Sequence, residues 1–283
     1  MGMLDAIKPI SQEPHNSLTT ILGKPGSGKT TLAGSFPKPM LYVAIDTDGG
    51  GEVLKCYSDD EIDVLNITTD NPGAGTHAQA KLMTLAKELK ETKHKYKTIV
   101  IDAYSSIEEG VVNFLEKTKG KKLNLEERGA IGGLMLNLRN ELVDVSRSGV
   151  EVITVCHVKD KECTDNTTGE KNIMIIPKMS YNNGNLLLER ASAVIYCARK
   201  TIINDDGTRR VAFLSYLGAH PNMDTKLRTA GKKIESGLYV EDLTYDKLQD
   251  IINGSQAIED IKKLNVVEPK ETTENNKNDD EEW

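Results

Sequence analysis

Eight consecutive residues, Gly23-Lys24-Pro25-Gly26-Ser27-Gly28-Lys29-Thr30, fit the pattern G-x-x-x-x-G-K-[ST], and a second threonine, Thr31, follows. With glycine at about 7% of residues in average proteins, such a match arises by chance in only about 1% of chains this long. The chemistry it serves is the holding of a phosphate chain. Wrapping phosphates with backbone N–H groups requires residues that reach positive φ and carry no Cβ, which glycines supply. A helix opening near Lys29 adds the partial positive charge of its N-terminus. The Lys29 ammonium is then in reach of β- and γ-phosphates, and the Thr30 hydroxyl is suited to ligate Mg2+.

A metal beside such a loop needs a carboxylate at the end of an apolar strand, and Asp102 in TIVID fits. An aspartate just past a buried strand is common in α/β proteins; its pairing with the glycine loop gives Asp102 the metal role. A zinc site through Cys156, His157 and Cys163 has suitable ligand types but lacks a fourth ligand at suitable spacing, so buried thiols are the simpler reading.

An alternation of strands and helices must position these groups. LTTIL (18 to 22) is a short β-rich run into the glycine loop, followed by a helix and then by the strands MLYVAID (40 to 46) and EIDVLNI (61 to 67). From 76 to 95 the apolar residues fall at the spacing of one helical face, predicting a helix that covers the strand edge. YKTIVID (96 to 102) is nearly continuous in apolar character, as expected of a central strand buried on both faces. Helices are predicted at 105 to 118 and 125 to 147, then the strand VEVITVCH (150 to 157). The polar stretch 159 to 178, with its DNTTGE turn signal, reads as a hairpin or mobile loop. AVIYCAR (193 to 199) and RVAFLSY (210 to 216) flank NDDGT, so an antiparallel pair ends the sheet. Two short helices, near 244 to 253 and 255 to 264, close the chain before a polar tail expected to be disordered. The fold class is α/β: a mainly parallel central sheet flanked by helices, with an antiparallel C-terminal edge. It divides into an N-terminal arm (1 to 17), a main domain (18 to 240), C-terminal helices (241 to 267) and an acidic tail (268 to 283).

The chain has 283 residues, 38% of them hydrophobic, which suffices for a core without disulfides. No run approaches the 18 or so apolar residues that a membrane span needs, so no membrane partner is expected. The N-terminus shows neither a basic n-region nor an apolar h-region, and Ala6 stands where myristoylation at Gly2 would want Ser or Thr. Four cysteines without C-x-x-C pairing point to a reducing compartment, so a cytoplasmic location is expected. Lys plus Arg number 36 against 43 Asp plus Glu, a net −7 that argues at first sight against a nucleic-acid partner. The distribution weakens that argument. Residues 268 to 283 hold seven acidic residues and two lysines, while 199 to 233 are locally +5 and 81 to 97 are +4.

A long interval holding an extra strand separates Lys29 from Asp102, which suits the RecA-like and AAA-like division of phosphate-loop proteins. No N-K-x-D guanine-reading motif occurs, so ATP is favoured over GTP. Taken together, GKPGSGKTTLAGSFPKPMLYVAIDTDGG, YKTIVID, VITVCHVKDK and TKLRTAGK resemble the RecA-like P-loop ATPases. The resemblance spans roughly 18 to 240. It is nearest to phage-type nucleotide-binding proteins of the AAA family that act as single-strand-annealing proteins or RecA-like recombinases, and a phage-encoded member would work in the cytoplasm of a bacterial host.

The resemblance implies further roles. Asp48 takes the position of the carboxylate that orients the attacking water, one methylene shorter than the usual Glu, with Glu52 as fallback; the competing reading is a solvated acidic turn. His157 occupies the place of a polar sensor of the γ-phosphate that couples it to a DNA-binding loop at 158 to 179, against a packed strand-end side chain. Lys226 and Arg228, as K-x-R, resemble a finger supplied to a neighbouring subunit, against a solvated basic face. The acidic tail ending in Trp283 is similar to the tips of single-stranded DNA-binding proteins, which occupy their own DNA site or recruit partners, so a protein of that kind is an implied partner; a solubilising tail is the alternative.

The function implied is an ATP-binding and ATP-hydrolysing protein, Mg2+-dependent and DNA-stimulated. It would act on single-stranded DNA in recombination or annealing, as a homo-oligomeric ring or filament. Tyr181, beside the 158 to 179 loop, is the nominated base-stacking aromatic. Two other readings stay open: a nucleotide-operated switch with little turnover, and a DnaB-like helicase or translocase core.

Overall fold

The computed structural model describes residues 17–46, 50–58, 61–68, 77–164, 171–203, 206–229 and 234–254. Five parallel strands, β1 (Leu18–Gly23), β2 (Met40–Ile45), β3 (Ile62–Ile67), β4 (Thr98–Asp102) and β5 (Glu151–Cys156), form the heart of a nine-stranded sheet. β8 (Ala193–Ile203) also runs parallel to β1. β9 (Arg209–Tyr216) turns back against β8, and β10 (Lys226–Leu227) and β11 (Tyr239–Glu241) add short antiparallel pieces. The path across the sheet is β11-β9-β8-β1-β5-β4-β2-β3. A separate hairpin, β6 (Val158–Thr164) with β7 (Lys171–Pro177), grows from the end of β5. The parallel sheet with an antiparallel edge is therefore observed as expected, and so is the hairpin at 159 to 178.

The central strands β1, β2, β4 and β5 are largely apolar because both faces are covered. On one face Leu41, Val43, Ile99, Ile101 and Val152 pack with α2 (Ala78–Glu91), α3 (Ser105–Lys119), α4 (Leu125–Arg147) and α5 (Tyr181–Arg190). On the other, Ile21, Tyr42, Val100, Ile153 and Ile195 pack with α1 (Lys29–Gly34), a 3-10 helix at Gly50–Cys56, and α6 (Tyr245–Asn253). Successive residues of one strand alternate between the two cores, the period-2 geometry of a pleated strand.

Local signals set the helix ends. Asn124 and Glu127 form a capping box that opens α4, each side chain accepting from the other's backbone N–H at 2.8 Å. His77 Nδ1 accepts from the Ala80 amide and starts α2 there, so this helix covers 78 to 91 rather than the expected 76 to 95. β8 runs to Ile203, four residues beyond the expected end, because it pairs with β9 along the whole ribbon. Neither the 3-10 helix nor α5 is foreseen by the pattern. The expected helix at 255 to 264, most of the N-terminal arm and the acidic tail lie outside the described residues. No helix among the described residues is long and apolar enough to cross a membrane.

Candidate functional site

β1 ends at Gly23, and the glycine loop carries the chain into α1. Gly26 and Gly28 hold positive φ, 71° and 87°, where L side chains are strained. Gly28 occupies the N-cap of α1 with no side-chain cap. Among the described residues the first-turn N–H groups of α1 thus have neither intrahelical nor side-chain capping partners. A Cβ on Gly23 would overlap Ser27 Oγ and lie 2.6 Å from the Cys197 carbonyl oxygen. Ser27 is buried, and its Oγ has no hydrogen-bond partner among the described residues. A cradle lined by uncapped amides, an unsatisfied hydroxyl and a buried cation fits a polyanionic phosphate chain.

Lys29 is 6% exposed and donates from Nζ to the Lys24 carbonyl at 2.9 Å. Burial holds its ammonium below the ordinary value, opposed by the nearby Asp102 carboxylate. Thr30 Oγ1 donates to Asp102 Oδ2 at 3.0 Å, and the Tyr42 hydroxyl donates to the same oxygen at 2.8 Å. Asp102 is 4% exposed, and burial together with its carboxylate pushes the Tyr42 phenol up. A hydroxyl and a carboxylate 3.0 Å apart, beside a phosphate cradle, are oxygen donors of the type that could hold a hard divalent cation such as Mg2+. No metal-ligating cluster of three or more His, Cys, Asp or Glu occurs among the described residues, and the zinc grouping of Cys156, His157 and Cys163 is not assembled there.

His157 sits between β5 and β6. Its amide donates to Ser105 Oγ at 3.0 Å and its carbonyl accepts from the Lys178 amide at 2.7 Å, joining the hairpin base to the start of α3. Burial first, then the Lys29 cation, hold its imidazole below the ordinary value. Its Nδ1 is buried without a partner among the described residues. Lys24 of the loop pairs with Asp160 of β6 at 3.8 Å, an exposed and therefore weak link.

Other expected residues are placed differently. Asp48 lies outside the described residues. Glu52 is exposed on the 3-10 helix and pairs with Lys55 at 2.6 Å. Lys226 and Arg228 stand by the start of β8, at the opposite end of the sheet from the loop. Lys226 Nζ donates to the carbonyls of Leu188 (2.7 Å) and Glu189 (3.1 Å) near the end of α5, while Arg228 is exposed. Tyr181 lies under the Lys161 ammonium, 3.4 Å from ring centroid to Nζ. Pro25 and Thr31 are exposed on the loop and the first turn of α1.

Three residues near the loop escaped the sequence reading. Tyr42 reads as one more apolar strand residue. Arg199, whose Nη1 lies 3.8 Å from where a Cβ on Gly26 would stand, and Phe213, whose ring lies against Gly28, come from the β8–β9 ribbon. Phe213 also walls a cavity of about 260 Å3 lined by Thr31, Tyr57, Ser215 and Thr244. Their only signal is strand register: Arg199 is opposite Phe213, two residues past the rung where Cys197 meets Gly23.

Comparison with known proteins bears on this arrangement. The family profile described as "AAA domain" matches residues 16–229. Among solved structures, a chain described under "Structural and biochemical analysis of a prototypical ATPase from the type III secretion system of pathogenic bacteria" is similar, at 13% identity and a TM-score of 0.44. The match covers 65% of this chain and 51% of that one, so the chain spans about half the length of that relative. No curated protein matches.

Proposed function

Because the chain belongs to the AAA domain family, we propose that it is a Mg2+-dependent ATPase of RecA-like type that works on single-stranded DNA as a homo-oligomer. The observation that carries the nucleotide reading is the convergence of Lys29, Thr30 and Asp102 on the uncapped start of α1. In this reading Lys29 leaves the Lys24 carbonyl to meet the β- and γ-phosphate oxygens, and the glycine-loop amides hold the rest of the chain. Thr30 and Asp102 would hold Mg2+, which when bound neutralises charge on the phosphate oxygens. Phe213 and its cavity would take the base, stacked on the ring. His157, neutral at pH 7 because burial and Lys29 disfavour its cation, would report phosphate occupancy to the β6–β7 hairpin through its carbonyl bond to Lys178. Arg228 would reach the site of a neighbouring subunit, and Asp48 would orient the attacking water.

The second reading, a nucleotide-operated switch with little turnover, is favoured by one observation: Glu52, the fallback for water orientation, is paired with Lys55 and exposed to solvent. Hydrolysis assays with and without single-stranded DNA separate the readings. DNA-stimulated turnover abolished by Lys29→Ala supports the first; tight nucleotide binding with no turnover supports the second. Absence of any ATP affinity refutes both.

A further inference from the structure

Tyr42 is the third residue of β2, flanked by apolar residues, and its side chain is completely buried. A phenol buried in a core needs a partner for its hydroxyl. Here the partner is Asp102, on the neighbouring strand. β2 pairs with β4 so that Ala44 lies opposite Asp102, and Tyr42 is two residues earlier on the same face. The ring lies in the core cluster with Phe36, Leu54 and Val100, so the hydroxyl is delivered along the sheet face to the carboxylate. It donates to Oδ2, the oxygen that also accepts from Thr30. Among the described residues no hydrogen bond reaches Oδ1.

The geometry points to Tyr42 as a positioning residue that fixes the rotation of the Asp102 carboxylate, with Oδ1 left available to a divalent cation or its bound water. The inference rests on reading Asp102 as the metal-side carboxylate. A threonine hydroxyl has one proton and two lone pairs. Thr30 can therefore keep its proton on Oδ2 while a lone pair serves the cation, provided the carboxylate does not turn. With Thr30 as its one donor the carboxylate could swing about that bond; with Tyr42 as a second donor, anchored in a different strand, it is held at two points. Partners of this outer kind, when removed, weaken metal binding by about tenfold or more.

The test uses Tyr42→Phe in the full chain, which keeps the ring in the core. Binding of a fluorescent, non-hydrolysable ATP analogue is titrated with Mg2+ and compared with binding in excess chelator, and Mn2+ affinity is read in parallel by electron paramagnetic resonance. The expected result is a rise of about tenfold in the Mg2+ concentration that half-maximally tightens the nucleotide, with chelator-side affinity unchanged. Thr20→Val serves as control, since it deletes an equally buried hydroxyl, paired with Thr154 at 2.9 Å and away from Asp102; it should leave the Mg2+ dependence as in wild type, and an equal loss there would mean that general loosening of the sheet, not Tyr42, is responsible. Wild-type Mg2+ dependence in Tyr42→Phe, with that dependence lost in Asp102→Asn, overturns the inference and leaves the metal reading standing. A wild-type protein whose nucleotide affinity ignores Mg2+ removes the metal reading and the inference together.

Discussion

Replacing Gly23 by alanine probes the phosphate loop where its geometry is tightest. The added Cβ would overlap Ser27 Oγ and lie 2.6 Å from the Cys197 carbonyl oxygen, where ordinary contact begins near 3.4 Å. Ser27 can rotate its hydroxyl away. The carbonyl cannot move so freely, because Cys197 lies in β8, hydrogen-bonded to β1 on one side and β9 on the other. Relieving the clash means separating β1 from β8 by several tenths of an ångström at the mouth of the loop. Overpacking of this kind costs about 1–3 kcal/mol. At about 2–4 °C per kcal/mol for a chain of this size, the melting temperature should fall by roughly 2–12 °C. The same displacement moves the cradle, so affinity for an ATP analogue should fall well below wild type even at a temperature where the variant is fully folded. Gly218→Ala is the matched control: its Cβ would overlap the Glu235 carbonyl oxygen just beyond β9, so stability should fall while affinity is kept. Differential scanning fluorimetry and fluorescence anisotropy read the two quantities separately. A Gly23→Ala protein with wild-type melting and wild-type affinity would refute the description of the loop as a cradle closed against β8.

Lys226→Ala removes the hydrogen bonds to the Leu188 and Glu189 carbonyls, so it should cost about 1 kcal/mol in denaturant unfolding, whereas Arg228→Ala should leave stability unchanged. If Arg228 serves a neighbouring subunit, mixing inactive Arg228→Ala with inactive Lys29→Ala should restore part of the hydrolysis; no recovery would count against a shared site. His157, His77 and His220 are all held below the ordinary value of 6.5 by burial, so the unfolded chain takes up their protons first. Stability should therefore be full above pH 6.5 and decline as pH falls below it, and His157→Gln should make that decline shallower in melting experiments. Deleting residues 268 to 283 removes a net −5 and should strengthen single-stranded DNA binding at low salt, as measured by anisotropy; unchanged affinity would show that the tail does not compete for the DNA site.

The residues whose structural context the sequence makes readable are those whose chemistry is local. The eight-residue loop needs its own glycines, and the central strands 40 to 45, 98 to 102 and 151 to 156 are mostly apolar because both faces are covered, with Thr98, Asp102, Glu151 and Thr154 the polar exceptions. α5 escapes for the opposite reason. Its sequence, YNNGNLLLER, contains three asparagines and a glycine, poor helix formers. It is held by tertiary contacts: Glu108 accepts the Ser180 amide at its start, and Arg139 donates to the Leu186 carbonyl near its end. Tyr42 escapes because a buried tyrosine in a strand looks like core until its hydroxyl is followed to Asp102. Phe213 and Arg199 escape because their closeness to the loop depends on how far β8 runs past Cys197, a matter of register between segments far apart in sequence.

That register also explains why groups from four distant segments share one rim. Gly23 lies opposite Cys197, Leu22 opposite Cys156, and Val155 opposite Asp102. These residues fall within a rung of one another on a line across β8, β1, β5 and β4. All four strands run in the same direction, so each points its C-terminal end to the same edge, past which β8 alone continues; in an antiparallel sheet alternate ends would face away. Asp102 and the end of β1 are two strand spacings apart, about 10 Å at the backbone. Thr30, at the second position of α1, spans that interval and meets Asp102 at 3.0 Å. The direction reverses only at β9, and the reversal returns Phe213 to the rim that β8 left with Arg199. The antiparallel edge is thus not an appendage to the parallel sheet. It is what brings an aromatic ring to the side of the phosphate loop that β5 does not occupy.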